Sequence, residues 1–275
     1  MRTQYQEFIR KVLEAASKIA QDHFGRVSRT TKAGDPNQVL TKADLVLGKF
    51  LIDSISRLFP EHNIIDEEGG AIDNKSEYTW VIDPIDGTSN FARGVQLYGI
   101  MIGLLREATP IAGGIALPAF LEICVAEKGK GAWCDGERLI VSNETHLLST
   151  LIAYGIDSHR ERPDFTRGEC QLLAEIILNV QNIRASNSAF DAVMVAKGKY
   201  GGFLNRTSKL WDNVAQHVVI EEAGGVYTDF FGRPLDYSDP FGKMKLNYTF
   251  CAAPLAIHRQ LQKIIHTKRE SLLSE

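Results

Sequence analysis

The sequence predicts a layered α+β fold, because its helical and strand-like segments occur in mixed blocks. Amphipathic helical patterns lie near both ends of the chain, and apolar runs broken by glycine and proline fill its middle. The regular alternation of strand and helix that indicates a doubly wound parallel sheet is missing from this pattern. The 275 residues, 44% of them hydrophobic, predict one domain made of two halves, residues 1–145 and 146–275.

In the first half, apolar residues between Tyr5 and Ala20 recur at helical spacing and predict an opening helix. A second helix is predicted over residues 44–58, and a short strand at 64–65. Residues 78–82 predict a strand that ends at Asp83, because Pro84 cannot donate a hydrogen bond to a sheet. An antiparallel sheet is predicted over residues 95–125, followed by glycine-marked hairpins.

The second half predicts strands at 151–156, 201–204 and 248–252, and helices at 170–180, 189–196, 211–223 and 256–267. The helix over 211–223 has the clearest apolar stripe, and Gly224 with Gly225 supplies its C-terminal stop. The two halves are expected to meet near residues 140–150.

Composition argues against several kinds of protein. The net charge of −3 is unlike that of a nucleic-acid-binding domain, so an anionic substrate must be attracted locally, for example by a bound cation. The four cysteines form no CxxC pair, which disfavours a cysteine zinc site and favours scattered, reduced structural thiols. A polar N-terminus and the lack of an apolar run of about 20 residues predict a soluble, cytoplasmic protein without a membrane partner.

The segment Asp-Pro-Ile-Asp-Gly-Thr at positions 83–88 carries the strongest chemical signal. The carboxylates of Asp83 and Asp86 follow a predicted strand, and the Ile85 carbonyl between them is a further oxygen ligand. Oxygen-only ligands suit a hard cation such as Mg²⁺. Gly87 permits close backbone approach, and the amides of Gly87 and Thr88 can bind a phosphate. The simpler alternative is a tight turn in which Asp and Gly serve only the turn.

Other acids are ambiguous when taken singly. Glu67, sixteen residues before the first aspartate of this segment, and Glu68 fit a solvated loop. Asp212 fits a helix cap, and Thr41 or Asp44 fits a helix N-terminus. If such acids converge, two like charges about 4 Å apart repel by roughly 4 kcal/mol at an effective dielectric near 20. A converged set therefore requires bound cations or raised pKa values.

Three segments taken together resemble the inositol monophosphatase family. They are Glu-Glu at 67–68, Trp-Val-Ile-Asp-Pro-Ile-Asp-Gly-Thr-Ser-Asn-Phe at 80–91, and Trp-Asp-Asn-Val-Ala at 211–215 with Glu-Ala-Gly-Gly at 222–225. Two long motifs about 120 residues apart are a specific signal, and the resemblance covers essentially the whole chain. It implies a five-layer αβαβα sugar-phosphatase fold, a homodimer, two or three Mg²⁺ ions, sensitivity to Li⁺ and a small phosphorylated substrate.

The resemblance also implies roles for individual residues. The metal ligands would be Glu67, Asp83, the Ile85 carbonyl, Asp86 and Asp212. A metal-activated water would attack the phosphorus directly, steered by Thr88 with Asp44 or Glu67, and no phosphoenzyme would form. Asp44 matches an acid near a third, weaker metal, and Glu68 is the second acid of the family's pair. The substrate would contact Asp86, Gly87, Thr88, Asn187, Ser188, Asn205 and Asp212.

Two departures from the family pattern bear on the substrate. Ser-Asn-Ser-Ala at 186–189 replaces the Gly-Ser/Thr-Ala-Ala of many members, so Asn187 and Ser188 are either substrate contacts or helix-start residues. Asn205 stands where inositol-specific members carry a glutamate, seven residues before Asp212, and it keeps hydrogen-bonding capacity without the charge. Inositol 1-phosphate or a related sugar or polyol phosphate is the first expectation. Fructose 1,6-bisphosphate, histidinol phosphate, NADP and 3′-phosphoadenosine phosphates stay open, although the missing acid argues mildly against histidinol phosphate.

Other functions fit the sequence less well. A phosphatase of the haloacid dehalogenase type needs two aspartates separated by one residue, whereas two residues separate Asp83 from Asp86. An EF-hand calcium loop needs acids at alternate positions and a glutamate at position twelve, and the segment at 83–88 with the residues after it has neither. A non-catalytic role beside the transcription machinery, as in some bacterial relatives, stays open, but the complete set of candidate ligands favours catalysis.

Overall fold

The computed structural model describes residues 3–26, 29–32 and 35–268. In these residues two main sheets and the helices packed on them form five layers, in the order helix, sheet, helix, sheet, helix. The predicted αβαβα arrangement of the α+β class is confirmed. No helix within the described ranges is long and apolar enough to cross a bilayer.

The helices are α1 (Gln4–His23), α2 (Lys42–Leu58), α3 (Thr88–Ala92), α4 (Pro163–Ile177), α5 (Ala189–Ala196), α6 (Leu210–Glu222), α7 (Pro240–Lys243) and α8 (Leu255–Thr267). The strands of the first half are β1 (Arg29–Lys32), β2 (Asp35–Thr41), β3 (Asn63–Asp66), β4 (Gly70–Ile72), β5 (Tyr78–Asp86), β6 (Gly99–Arg106), β7 (Thr109–Leu117), β8 (Glu122–Glu127), β9 (Gly131–Cys134) and β10 (Glu137–Arg138). Those of the second half are β11 (Leu151–Gly155), β12 (Asn182–Arg184), β13 (Gly202–Ser208), β14 (Val226–Thr228) and β15 (Tyr248–Ala253).

The larger sheet has the strand order β10-β9-β8-β7-β6-β5-β3-β4. Its pairs are antiparallel except for β3 and β5, which run parallel. Helices α1 and α2 cover one face, where residues such as Ile9 and Leu47 are fully buried among the side chains of the sheet. The first-half core therefore lies between this helical layer and the sheet.

The smaller sheet has the order β12-β11-β13-β15-β14, with parallel pairing of β11 to both β12 and β13. Helices α4 and α8 pack on its outer face, and α5 and α6 lie between the two sheets. Gly103 on β6 has a specific role in this sandwich, because a Cβ there would lie 2.5 Å from Val214 of α6. Its missing side chain lets α6 approach the larger sheet closely.

Several predicted boundaries are wrong. Strand β5 does not end at Asp83: pairing with β6 breaks after Asp83, opposite Met101, and resumes at Asp86, opposite Gly99. Pro84 lies inside this irregularity, where a missing backbone donor costs no ladder bond. Helix α4 begins at Pro163 rather than at 170, since proline is well suited to the first position of a helix. The β1–β2 hairpin was not predicted.

Two of the four cysteines, which the sequence predicted to be scattered, lie in contact in the structure. Cys124 and Cys134 lie directly opposite each other on β8 and β9, with their sulfur atoms 2.7 Å apart. Both are buried free thiols, as is Cys251, whereas Cys170 is exposed. The sequence separation of ten residues concealed this contact, because the intervening turn folds β9 back onto β8.

Candidate active site

A polar cavity of about 290 Å³ lies where the end of β5 and the starts of α3, α5 and α6 come together with β13. All of the predicted metal ligands and substrate contacts line it. They are Glu67, Asp83, Ile85, Asp86, Gly87, Thr88, Asn187, Ser188, Asn205 and Asp212. The structure thus brings residues from distant segments to one place, and their individual roles stay predictions.

Three carboxylates form the centre of the site. Each of Asp83, Asp86 and Asp212 offers one oxygen, and these oxygens all lie within 4.8 Å of one another. Asp83 and Asp86 flank the irregular end of β5, whereas Asp212 lies in the first turn of α6, where its Oδ2 accepts a hydrogen bond of 2.6 Å from the Lys209 N–H. Asp212 is therefore both a helix-cap residue and a member of the acid cluster.

The electrostatics of this cluster fit a cation. Burial, followed by the charges of Glu67 and Asp86, raises the pKa of Asp83 well above its usual range. Burial likewise raises the pKa of Asp86 to about 7 and that of Asp212 well above the ordinary value. Carboxylates that repel one another this strongly in a cavity are stabilised by a divalent ion. Because every candidate ligand atom is an oxygen, the donor set suits a hard cation such as Mg²⁺.

Glu67 approaches this cluster from the turn after β3. Its N–H donates a hydrogen bond of 3.2 Å to the Ile82 carbonyl of β5. The turn is held by the fully buried Asp66, whose Oδ2 accepts from the N–H of Glu68 at 3.1 Å and from the N–H of Gly69. Burial raises the pKa of Asp66 to about 6. The sequence interpretation gave Asp66 no role. Its place directly before two acids and two glycines could have indicated a carboxylate that holds the turn.

Asp44 contacts the site at Thr88, which lines the cavity. Thr41 caps α2, and Asp44 Oδ2 accepts from the Thr41 N–H at 2.8 Å and from its hydroxyl at 2.5 Å. The other oxygen of Asp44 lies 3.4 Å from the Thr88 hydroxyl, which also donates to the Ile85 carbonyl at 2.8 Å. Burial raises the pKa of Asp44. Asp44 is therefore both a helix-start residue and a neighbour of the predicted catalytic threonine.

Gly87 shapes the turn that follows Asp86. Its φ of +79° lies in the left-handed region, and a Cβ would lie 3.0 Å from the Leu97 carbonyl oxygen and 3.1 Å from the Ser188 Cβ. A side chain at this position would be strained by the backbone conformation and crowded by these two atoms. The turn places the start of α3, and with it Thr88, at the cavity.

The remaining wall is built from side-chain amides and a carboxylate that the sequence interpretation missed. Asn187 Nδ2 donates to Asp157 Oδ1 at 3.0 Å, and Asn205 Nδ2 donates to Asn187 Oδ1 at 3.0 Å. Ser188 is the N-cap of α5, as the helix-start alternative predicted, whereas Asn187 makes contacts across the cavity wall. Asp157 follows β11, and ligands often bind at the carboxyl ends of parallel strands, so its position was a usable signal.

Comparison with known proteins assigns the chain first to a class, the metal-dependent phosphatases. The model of the inositol monophosphatase family matches residues 1–272, and the chain belongs to this family. The resemblance noted in the sequence is confirmed.

Individual relatives agree with this assignment. A fructose-1,6-bisphosphatase/inositol-1-monophosphatase of Aquifex aeolicus is 31% identical over 249 residues, which cover 90% of this chain and 93% of that protein. A Pasteurella multocida protein named Nus factor SuhB is 30% identical over 226 residues, covering 82% and 84%. The solved structure of a Thermotoga maritima IMPase superposes with a TM-score of 0.84 at 28% identity, covering 97% of this chain and 98% of that one.

Proposed function

We propose that this protein hydrolyses a small phosphomonoester with Mg²⁺, the expected substrate being inositol 1-phosphate or a related polyol phosphate. One observation carries the proposal: carboxylate oxygens of Asp83, Asp86 and Asp212 lie within 4.8 Å of one another in the wall of a polar cavity. Family membership supports a phosphatase reaction, and the oxygen donors support magnesium.

Two or three Mg²⁺ ions would be held by Asp83, Asp86 and Asp212 with Glu67 and the Ile85 carbonyl. When bound, these ions would act as Lewis acids that lower the pKa of the attacking water and neutralise charge on the phosphoryl oxygens. The homodimer and the sensitivity to Li⁺ remain predictions that follow from the family.

The chain's own residues would orient the nucleophile and the phosphate. The Thr88 hydroxyl proton is directed to Ile85 O or Asp44 Oδ1, so the lone pairs of Thr88 Oγ1 are available to accept a hydrogen bond from the attacking water. Asp44 or Glu67 would take up the proton that this water releases. The amides of Gly87 and Thr88, at the start of α3, would donate to the phosphate oxygens.

A phosphate-release screen tests the proposal. The substrates are inositol 1-phosphate, fructose 1,6-bisphosphate, histidinol phosphate, adenosine 3′,5′-bisphosphate and NADP, each with and without Mg²⁺. We expect Mg²⁺-dependent release, with Asp83→Asn and Asp212→Asn each abolishing it while circular dichroism stays unchanged. Asp53→Asn is the matched control, because Asp53 lies on the exposed face of α2 in an ion pair with Lys49. Near-normal turnover in either cavity variant would contradict the proposal.

The relatives named Nus factor SuhB favour a second candidate, a non-catalytic partner of the transcription machinery. The retained carboxylate cluster makes catalysis the better supported function. A pull-down of transcription proteins that is unaffected by Asp83→Asn, together with no phosphate release from any substrate, would reverse this preference.

A further inference from the structure

Helix α6 carries Asp212 in its first turn, and the residue just before this helix is bound at both its N–H and its carbonyl. The Lys209 N–H donates to Asp212 Oδ2 at 2.6 Å, and the Lys209 carbonyl accepts from Asn213 Nδ2 at 2.6 Å. Asn213 Nδ2 also donates to the Ser208 hydroxyl at 2.9 Å. The position of Lys209 therefore sets the direction of the Asp212 carboxylate, and the Asn213 side chain holds Lys209 in that position.

The Asn213 side chain is fully buried and is held in turn by Tyr227 of β14. The Tyr227 hydroxyl donates to Asn213 Oδ1 at 2.8 Å and accepts from Gln216 Nε2 at 2.8 Å. Gln216 lies one turn further along α6 and lines the cavity. Together with Ser208, these residues form one hydrogen-bonded group, the Tyr227 network, which connects a strand of the smaller sheet to the first turn of α6.

The donors and acceptors of the Tyr227 network have one arrangement. The Ser208 hydroxyl gives its proton to the Tyr248 carbonyl at 3.0 Å, so it can only accept from Asn213. The Lys209 carbonyl can also only accept, which uses both N–H groups of Asn213 and turns its Oδ1 towards Tyr227. Burial raises the pKa of Tyr227 well above its usual range, so the hydroxyl keeps the proton that it donates. Among the described residues, this hydroxyl is the one donor that Asn213 Oδ1 receives.

The ring of Tyr227 is held independently of its hydroxyl. It stacks on the rings of His217 and Phe250, with centroids 4.6 Å and 5.4 Å away. Phe250 belongs to β15 and also lines the cavity. A variant that lacks only the hydroxyl therefore keeps the ring in its place and loses the two hydrogen bonds.

The larger sheet restrains α6 from another side. A Cβ on Gly113 of β7 would lie 2.8 Å from the Ala215 carbonyl oxygen of α6, so the helix backbone rests closely on that sheet. Tyr227 binds the same helix from β14 of the smaller sheet. The helix that carries Asp212 is thus located by both sheets, and Tyr227 supplies a polar contact from the smaller one.

We propose that Tyr227 is a positioning residue for the metal site: through Asn213 it holds the Asp212 carboxylate in place for a divalent cation. The proposal rests on the proposed function and deepens it. The acid cluster brings like charges together, so a carboxylate that is free to turn moves away from its neighbours when no ion is bound. The Tyr227 network removes that freedom before the ion binds, which lowers the free-energy cost of binding it.

The experiment measures Mg²⁺ binding to the wild-type protein and to Tyr227→Phe by calorimetry. The substitution removes one hydroxyl and keeps the stacked ring. Because outer partners of metal ligands contribute about 10- to 100-fold in metal affinity, we expect the Mg²⁺ dissociation constant to rise about tenfold. Saturating Mg²⁺ should restore kcat for phosphate release, since the substitution raises the concentration of ion that is needed and leaves the substrate's contacts unchanged.

Tyr237→Phe is the matched control. Tyr237 is also buried, and its hydroxyl lies 2.9 Å from Nδ1 of His217, so it contacts the same helix without contacting Asn213. Its removal should lower the melting temperature and leave the Mg²⁺ dissociation constant within about twofold of the wild-type value. An equal loss of Mg²⁺ affinity in both tyrosine variants would show a general loosening of α6 and would overturn the positioning role.

A double variant tests the path through Asn213. Asn213→Ala should weaken Mg²⁺ binding at least as much as Tyr227→Phe, and adding Tyr227→Phe to Asn213→Ala should weaken it no further. Independent, multiplied losses would contradict this path, and an unchanged Mg²⁺ affinity in Tyr227→Phe would overturn the role altogether. If the wild-type protein bound Mg²⁺ but released phosphate from no substrate, the proposed function would fail, and calorimetry would still decide the role of Tyr227.

Discussion

The backbone N–H of Ala189, the first residue of α5, donates a hydrogen bond to Oδ2 of Asp86 at the end of β5. This bond joins the second half of the chain to a candidate metal ligand of the first half. It also stabilises the charged form of Asp86, against the burial that raises the pKa of this residue. The geometry of the acid cluster therefore depends on how the two halves pack.

Removing this donor should weaken metal binding. Ala189→Pro deletes the N–H at the first helical position, where proline is well tolerated, and the preceding Ser188 already has the extended conformation that proline favours. Outer partners of metal ligands contribute about 10- to 100-fold in metal affinity. We expect the Mg²⁺ concentration for half-maximal activity to rise at least tenfold, as measured by a Mg²⁺ titration of phosphate release.

Ala189→Gly is the control for this substitution, because it keeps the N–H and removes only the methyl group. Its Mg²⁺ midpoint should stay within about twofold of the wild-type value. Equal midpoints for the proline and wild-type proteins, with melting temperatures also equal, would show that the Ala189 bond does not support the metal site.

The Thr88 hydroxyl should act on the chemical step rather than on substrate binding. Thr88→Ala removes the group that lies 3.4 Å from Asp44 Oδ1 and keeps the backbone amide at the start of α3. Thr88 would orient the water whose proton Asp44 or Glu67 takes up, and positioned proton transfer contributes about 10²- to 10⁴-fold, so kcat should fall at least 100-fold with KM nearly unchanged. Steady-state kinetics check this, and Thr88→Ser should recover most of kcat. A loss confined to KM would contradict the assignment.

Stability should depend on pH through a carboxyl group remote from the metal ligands. Glu169 is buried beneath β11, accepts a hydrogen bond of 3.3 Å from the Tyr154 hydroxyl, and has its pKa raised by burial from 4.5 to about 7. The folded protein thus holds a proton that the unfolded chain has released, so the free energy of unfolding falls as pH rises from about 5 to about 8. The contribution is on the order of 3 kcal/mol.

Glu169→Gln should remove this part of the pH dependence, because glutamine is neutral throughout. Urea unfolding with saturating Mg²⁺ at pH 5 and pH 8 measures the difference. The variant and the wild-type protein should be similarly stable at pH 5, and the variant should be the more stable at pH 8. Parallel pH profiles would show that Glu169 does not titrate as its surroundings indicate.

The elements that sequence patterns predicted well are those with their own periodic apolar face. Helix α1 and helix α6 are examples, since each buries one stripe regardless of what covers it. The continuation of β5 past Pro84 was not predictable in this way, because it depends on Gly99 of β6 lying opposite Asp86. The contact between Cys124 and Cys134 likewise depends on strand register.

The candidate site also contains residues that the sequence predicted and residues that only the fold revealed. Asp83, Ile85 and Asp86 are neighbours in sequence, so their oxygen atoms predict a hard-cation site before any fold is known. Asp157 is different, because nothing near it in sequence reveals that Asn187 Nδ2 lies 3.0 Å away.

The sequence by itself determined the kind of chemistry, since carboxylate and carbonyl oxygens are hard ligands wherever they lie. Only the tertiary structure decided which acids share one cavity and which other residues line it. The physical reason is that electrostatic repulsion and hydrogen bonding depend on distances of a few ångströms. For Asp86 and Ala189, 103 positions apart in the chain, those distances are set by the packing of two sheets around α5 and α6.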